Sequence, residues 1–71
     1  MKLYDLVASV ILCGNIRISM WEDDREKVIA TYTDCEQLWT GEIEEEWEDL
    51  EVLYIFASPD GYLHIEVKEK E

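Results

Sequence analysis

A chain of 71 residues with 18 Asp and Glu against six Lys and Arg, a formal charge of −12, has room for one domain over residues 1–71. Its 48% apolar content and eight aromatic residues set it apart from disordered acidic tails. A charge this negative repels anionic lipid and nucleic acid, and no basic stripe exists for direct nucleic-acid binding.

The chain opens with an apolar stripe. Leu3, Leu6, Val7, Val10 and Ile11 recur at helical spacing, and Asp5 in the first turn suits the helix dipole. Gly14 is placed to end the element in a left-handed cap, so the pattern predicts a helix over residues 2–13. The same stretch could be taken for an export leader, but Asp5 interrupts its apolar run and Leu12 occupies the position before Cys13 where a small residue is wanted. It is also too short to cross a bilayer. Cys13 and Cys35 are the only cysteines, which reads as reduced thiols in a cytoplasmic protein, with a single bridge left open. Cys13, at the helix end, is expected to pack as a small hydrophobe.

"NIRISMWE" alternates, with Ile16, Ile18 and Met20 on one side and Arg17, Ser19 and Trp21 on the other. "KVIATYT" is rich in β-branched residues, so residues 15–33 read as a hairpin. Its "EDDREK" turn lacks Asn-Gly or Asp-Gly, and a loop longer than two residues is expected. Residues 34–43 fit strand, loop or helix start. In "IEEEWEDL", Ile43, Trp47 and Leu50 mark one apolar edge of a short helical turn. "VLYIFA" is a continuous apolar run, the mark of a central strand covered on both faces. "SPDG" has type I turn chemistry, and "YLHIEV" alternates, with Leu63, Ile65 and Val67 inward and Tyr62, His64 and Glu66 outward.

The order is α-β-β-(short α)-β-β. It predicts an α+β fold in which one N-terminal helix packs on a four-stranded, mainly antiparallel sheet. One helix covers one face only. Tyr54 and Phe56, with Trp21 and Tyr62, are then expected on the other face, as a homodimer interface or a partner-binding aromatic patch.

Three stretches, "MKLYDLV", "IRISMWEDD" and "EEEWEDLEVLYIFASPDGYLHIEV", together with the acidity, give a layout that resembles small accessory proteins of bacteriophages and integrated mobile elements of gut bacteria. The resemblance covers most of the chain. It implies a compact α+β domain in the host cytoplasm and the functions such elements carry, among them inhibition of host defence nucleases and CRISPR effectors, in several cases by acidic mimicry of DNA.

The residues themselves hold no catalytic signature. His64 is the only histidine and has no evident partner for a triad or a zinc site, and no EF-hand spacing occurs among the acids. Neither metal nor cofactor is expected, and the chain reads as a non-enzyme. The candidate surface is the run Glu42, Glu44, Glu45, Glu46, Glu48, Asp49 and Glu51, seven acids with no base among them, flanked by Trp39 and by Trp21. Carboxylates held on a firm turn can occupy a groove built for phosphates; the plain alternative is a solvated coat. The expected partner is therefore a basic protein surface, such as that of a nucleic-acid-binding protein. The alternative is a small homodimeric structural or regulatory module whose acid only maintains solubility.

Overall fold

A computed structural model describes residues 1–69. Helix α1 (Leu3–Ser9) is followed by strands β1 (Leu12–Glu22) and β2 (Arg25–Leu38). Two 3-10 turns, Thr40–Glu42 and Glu45–Trp47, lead to β3 (Glu51–Ala57) and β4 (Leu63–Lys68). The strands form one sheet in the order β2-β1-β4-β3. Each hairpin is antiparallel, whereas β1 and β4 pair in parallel at the centre, which makes the sheet mixed rather than purely antiparallel.

The helix is shorter than its stripe. Leu3, Leu6 and Val7 are buried, but Val10 turns extended at φ −130° and ψ 148°, and both Val10 and Ile11 are exposed. Pairing of Leu12 with Leu38 draws the chain into β1 before the helix can finish. A tertiary contact that buries Leu38 completely outweighs the weak helical preference of two β-branched residues. Gly14 therefore ends no helix. It sits inside β1 at φ +93°, between two register shifts against β2, where a residue free of a Cβ lets the strand bulge. Cys13 consequently lies exposed in β1 rather than in the core, Cys35 is half-buried in β2, and both thiols are free.

The first hairpin is longer than residues 15–33 and its turn is tighter than expected. Glu22 pairs directly with Arg25, so only Asp23 and Asp24 form the loop. Both have positive φ, 51° and 59°, the mark of a type I′ turn, which matches strand twist and here uses Asp in place of Asn-Gly. The ambiguous stretch resolves as β2 running to Leu38, then a 3-10 turn. The "IEEEWEDL" segment forms no α-helical turn but a second short 3-10 turn, with Ile43 and Leu50 buried and Trp47 half-buried, so its apolar edge does face the core.

In the second hairpin, Gly61 donates to the Ser58 carbonyl at 3.1 Å and Ser58 to the Tyr62 carbonyl at 2.9 Å, with Gly61 at φ +88°. That is a turn closed by a glycine bulge. The apolar run in β3 is not central. β3 is an edge strand, exposed on both faces rather than covered, and its partner β4 is one of the two central strands, with His64 to Val67 all buried.

The core lies on one face. Ile16, Ile18, Ile65 and Val67 are fully buried beneath α1 and the 3-10 segment, joined by Leu38, Ile43 and Leu50. The start of the chain is stitched to this layer: Leu3 N–H donates to the Leu50 carbonyl at 2.8 Å and Val52 N–H to the Met1 carbonyl at 2.8 Å, with Lys2 bridging Glu51.

Because Asp24 holds a left-handed conformation at some cost, Asp24→Gly is expected to raise stability by about 1 kcal/mol in urea unfolding. Ile65→Ala, at a fully buried central position, is expected to cost about 2–5 kcal/mol.

Candidate functional site

The acidic run is held by backbone rather than by side-chain caps. Neither 3-10 turn has a side-chain cap, yet Tyr4 N–H donates to the Glu48 carbonyl at 3.1 Å, and Ile43 and Leu50 anchor the segment at both ends. The Tyr32 hydroxyl donates to the Glu42 carbonyl at 3.2 Å, tying the first turn to β2. The Trp39 indole Nε1 donates to Glu42 Oε1 at 2.8 Å. Its ring lies over Gly41, where a Cβ would overlap the aromatic carbons, so only glycine permits this seat.

The predicted surface residues do not all serve alike. Glu42, Glu44, Glu45 and Glu46 are exposed, and among the described residues no base lies within ion-pairing distance of them. Asp49 is paired with Lys2 at 3.2 Å and Glu51 with Lys68 at 3.9 Å, so these two acids are locally neutralised. Glu48 is half-buried. Trp39 is exposed beside the run. Trp21 is exposed too, but it alternates with Met20, which packs on the core, and so projects from the opposite face of the sheet.

That opposite face holds a second cluster, which the sequence did not bring together. Arg17 pairs with His64 across the parallel junction and Ser19 with Glu66; Tyr54 and Phe56 stand beside them on β3. Arg17 Nη1 reaches Asp60 Oδ2 at 3.2 Å and His64 Nε2 at 3.4 Å, while its guanidinium sits 4.3 Å from the Tyr62 ring centre. The His64 ring stacks on Phe56 at 5.0 Å. The outward strand side predicted for His64 and Glu66 is right, but neither is solvated: both are buried under neighbouring side chains. Asp60, in the turn, has its carboxyl held below the ordinary value, first by the Tyr62 N–H, then by Ser58 and Arg17.

Three buried polar atoms on this face lack a hydrogen-bond partner: Ser19 Oγ, His64 Nδ1 and Glu66 Oε2. An arginine N–H directed at Nε2 favours the tautomer with its proton on the unpartnered Nδ1. Ser19 makes no hydrogen bond to His64, so the two do not form a nucleophile and base. Among the described residues, no three His, Cys, Asp or Glu side chains cluster as metal ligands. No helix there is long and apolar enough to cross a membrane.

The signal that could have found this cluster was partial. Alternation placed Arg17, Ser19, His64 and Glu66 on outward sides, but their meeting depends on the parallel pairing of β1 with β4, which local pattern does not reveal. No protein-family model, curated protein or solved structure matches this chain.

Burial raises the Glu66 carboxyl above its ordinary value of 4.5; Tyr54 beside it opposes that rise, and the nearby Glu26 carboxyl adds to it. The folded chain thus holds this proton more tightly than the unfolded one. The group's contribution to stability is full below 4.5 and is lost as pH rises through the folded value. Glu66→Gln is therefore expected to stabilise the fold at neutral pH by about 1 kcal/mol. The gain should vanish in acid, read from thermal melts across the pH range.

Proposed function

We propose that this chain is a small acidic interaction protein without catalytic activity, whose 3-10 segment meets a basic protein surface. The observation that carries this reading is the anchoring of the run. Ile43 and Leu50 are buried at its two ends, and main-chain bonds to Tyr4 and Tyr32 hold it, while Glu42, Glu44, Glu45 and Glu46 face solvent. Carboxylates held on a firm base lose little entropy when they meet a row of Lys and Arg, which is what polyanion mimicry requires. The charge of −12 speeds approach to such a surface. Together with the layout resemblance, this favours a phage or mobile-element inhibitor of a nucleic-acid-binding host factor, of the anti-CRISPR or anti-restriction kind, acting in the cytoplasm.

A second reading rests on a different observation. Tyr54, Phe56, Trp21 and Val28 are all exposed on the sheet face opposite α1, an apolar face that no other element of the chain covers among the described residues. On this reading the chain is a homodimeric structural or regulatory module and the acid maintains solubility.

Competition with duplex DNA for CRISPR effectors and restriction nucleases, at low and moderate salt, tests the first reading. The expected result is displacement of DNA that weakens steeply with salt. Joint Glu44→Lys, Glu45→Lys and Glu46→Lys substitution should lower affinity at least ~10-fold while leaving the circular dichroism spectrum unchanged. Affinity indifferent to salt and to these substitutions would sink the mimicry.

A further inference from the structure

The strand whose sequence most resembles a sheet interior lies at the sheet's margin. β3 carries no charged residue from Val52 to Ala57, and a continuous apolar run of that kind belongs to strands covered on both faces and paired on both sides. In the single chain it is neither. Leu53, Tyr54, Ile55 and Phe56 are 38%, 54%, 40% and 42% exposed. Tyr54 and Phe56 point to the face opposite α1, and Ile55, opposite Ile65, points to the helix side, so the exposure is on both faces. On the outer edge, the Val52 N–H donates to the Met1 carbonyl at 2.8 Å. Among the described residues, residues 53–57 have no neighbouring strand there.

The other edge is guarded. β2 carries Arg25, Glu26, Lys27, Asp34 and Glu36, with Asp34 at φ +53° breaking its regularity; charge and irregularity are the usual devices that stop edge pairing. β3 carries no charge along residues 53–57, and its one irregularity, the register shift against β4 at Leu53, leaves residues 54–57 in regular pairing.

We propose that β3 pairs antiparallel with β3 of a second copy about a two-fold axis at Ile55, joining two sheets into one of eight strands. This mode deepens the homodimer reading given above and rests on it. A second copy is the occupant that charge selects. Homotypic contact in a chain of net −12 needs a surface where no acid meets its own copy; of the two edge strands, β2 carries Glu26, Asp34 and Glu36, whereas β3 carries only Glu51, at its start. The register is self-complementary. Ile55 meets Ile55 at the axis and Tyr54 meets Phe56 of the copy twice, all within the regular stretch of β3; aromatic pairs across strands are among the better cross-strand contacts. Antiparallel pairing also places the two Glu51 side chains at opposite ends of the contact. The closed two-fold uses both open edges, so it ends in a dimer and not a fibre.

Sedimentation of the full chain from micromolar to millimolar concentration tests this. The expected result is a species of twice 8.4 kDa whose association strengthens with added salt, because salt screens the mutual repulsion of two acidic bodies. Ile55→Lys sets two like charges on the axis and should yield monomer with the circular dichroism spectrum retained; joint Trp21→Lys and Val28→Lys, on β1 and β2 and off the β3 edge, should leave the dimer intact. Should Ile55→Lys prevent folding, amide exchange on the unaltered chain decides: residues 53–57 should gain protection with concentration, and constant exchange there overturns the pairing. A monomer throughout would overturn both the pairing and the homodimer reading. A dimer that survives Ile55→Lys but is lost in the Trp21 and Val28 variant overturns the pairing alone. Binding of an unrelated extended peptide along β3 with no self-association assigns the edge to another partner and likewise overturns it.

Discussion

The parallel pairing of β1 with β4 is the constraint on which the fold depends. Two hairpins far apart in sequence meet only there, with Ile16 beside Leu63, Ile18 beside Ile65 and Met20 beside Val67. Each hairpin alone is a two-stranded ribbon of marginal stability. Together they bury a common set of Ile and Val side chains that α1 and the 3-10 segment then cover. A parallel junction cannot be made by a tight turn, so the chain from Leu38 to Leu63 must travel around the sheet. The acidic segment is part of that path. Its position over the core follows from the need to bring β4 in beside β1.

The same junction gives the molecule two unlike faces. On the helix side, apolar contacts are dense and the exposed acids of the 3-10 segment crown them. On the other side, the pleat that sends Ile18 and Ile65 into the core sends Ser19, His64 and Glu66 outward, where, among the described residues, only neighbouring side chains of the sheet overlie them. Unpartnered buried polar atoms cost about 1–3 kcal/mol each, a heavy charge on a small domain. Arg17 contacts Asp60, His64 Nε2 and the Tyr62 ring at once but reaches none of the three unpartnered atoms. Acid on one face and aromatic surface on the other allow two separate kinds of contact.

Legibility in the sequence followed the range of the interactions. The α+β class, the order of elements and the alternation in β1 and β4 are local properties, and they could be read from the residues. So could the inward edge of Ile43, Trp47 and Leu50. The stop of α1 at Ser9 could not, because it depends on Leu12 finding Leu38. The Asp23-Asp24 turn was missed because Asp is a poorer left-handed residue than Asn or Gly, and strand register overrode that preference. Both the position and the cover of β3 were misread, since its apolar run lies at an edge and is exposed on both faces; a short apolar run by itself fixes neither. For the acidic run, sequence supplied the residues; the Lys2–Asp49 and Lys68–Glu51 pairs, which thin its charge, needed the third dimension.

The stitch between Met1 and Val52 has a practical side. Lys2 lies opposite Glu51 and Met1 opposite Val52, in antiparallel sense along the outer margin of β3. Any residues placed upstream of Met1, a purification tag included, would be steered into the lane beside Leu53 and Tyr54 as an improvised fifth strand. A handle fused at that terminus would compete for the same lane that the proposed β3 pairing requires.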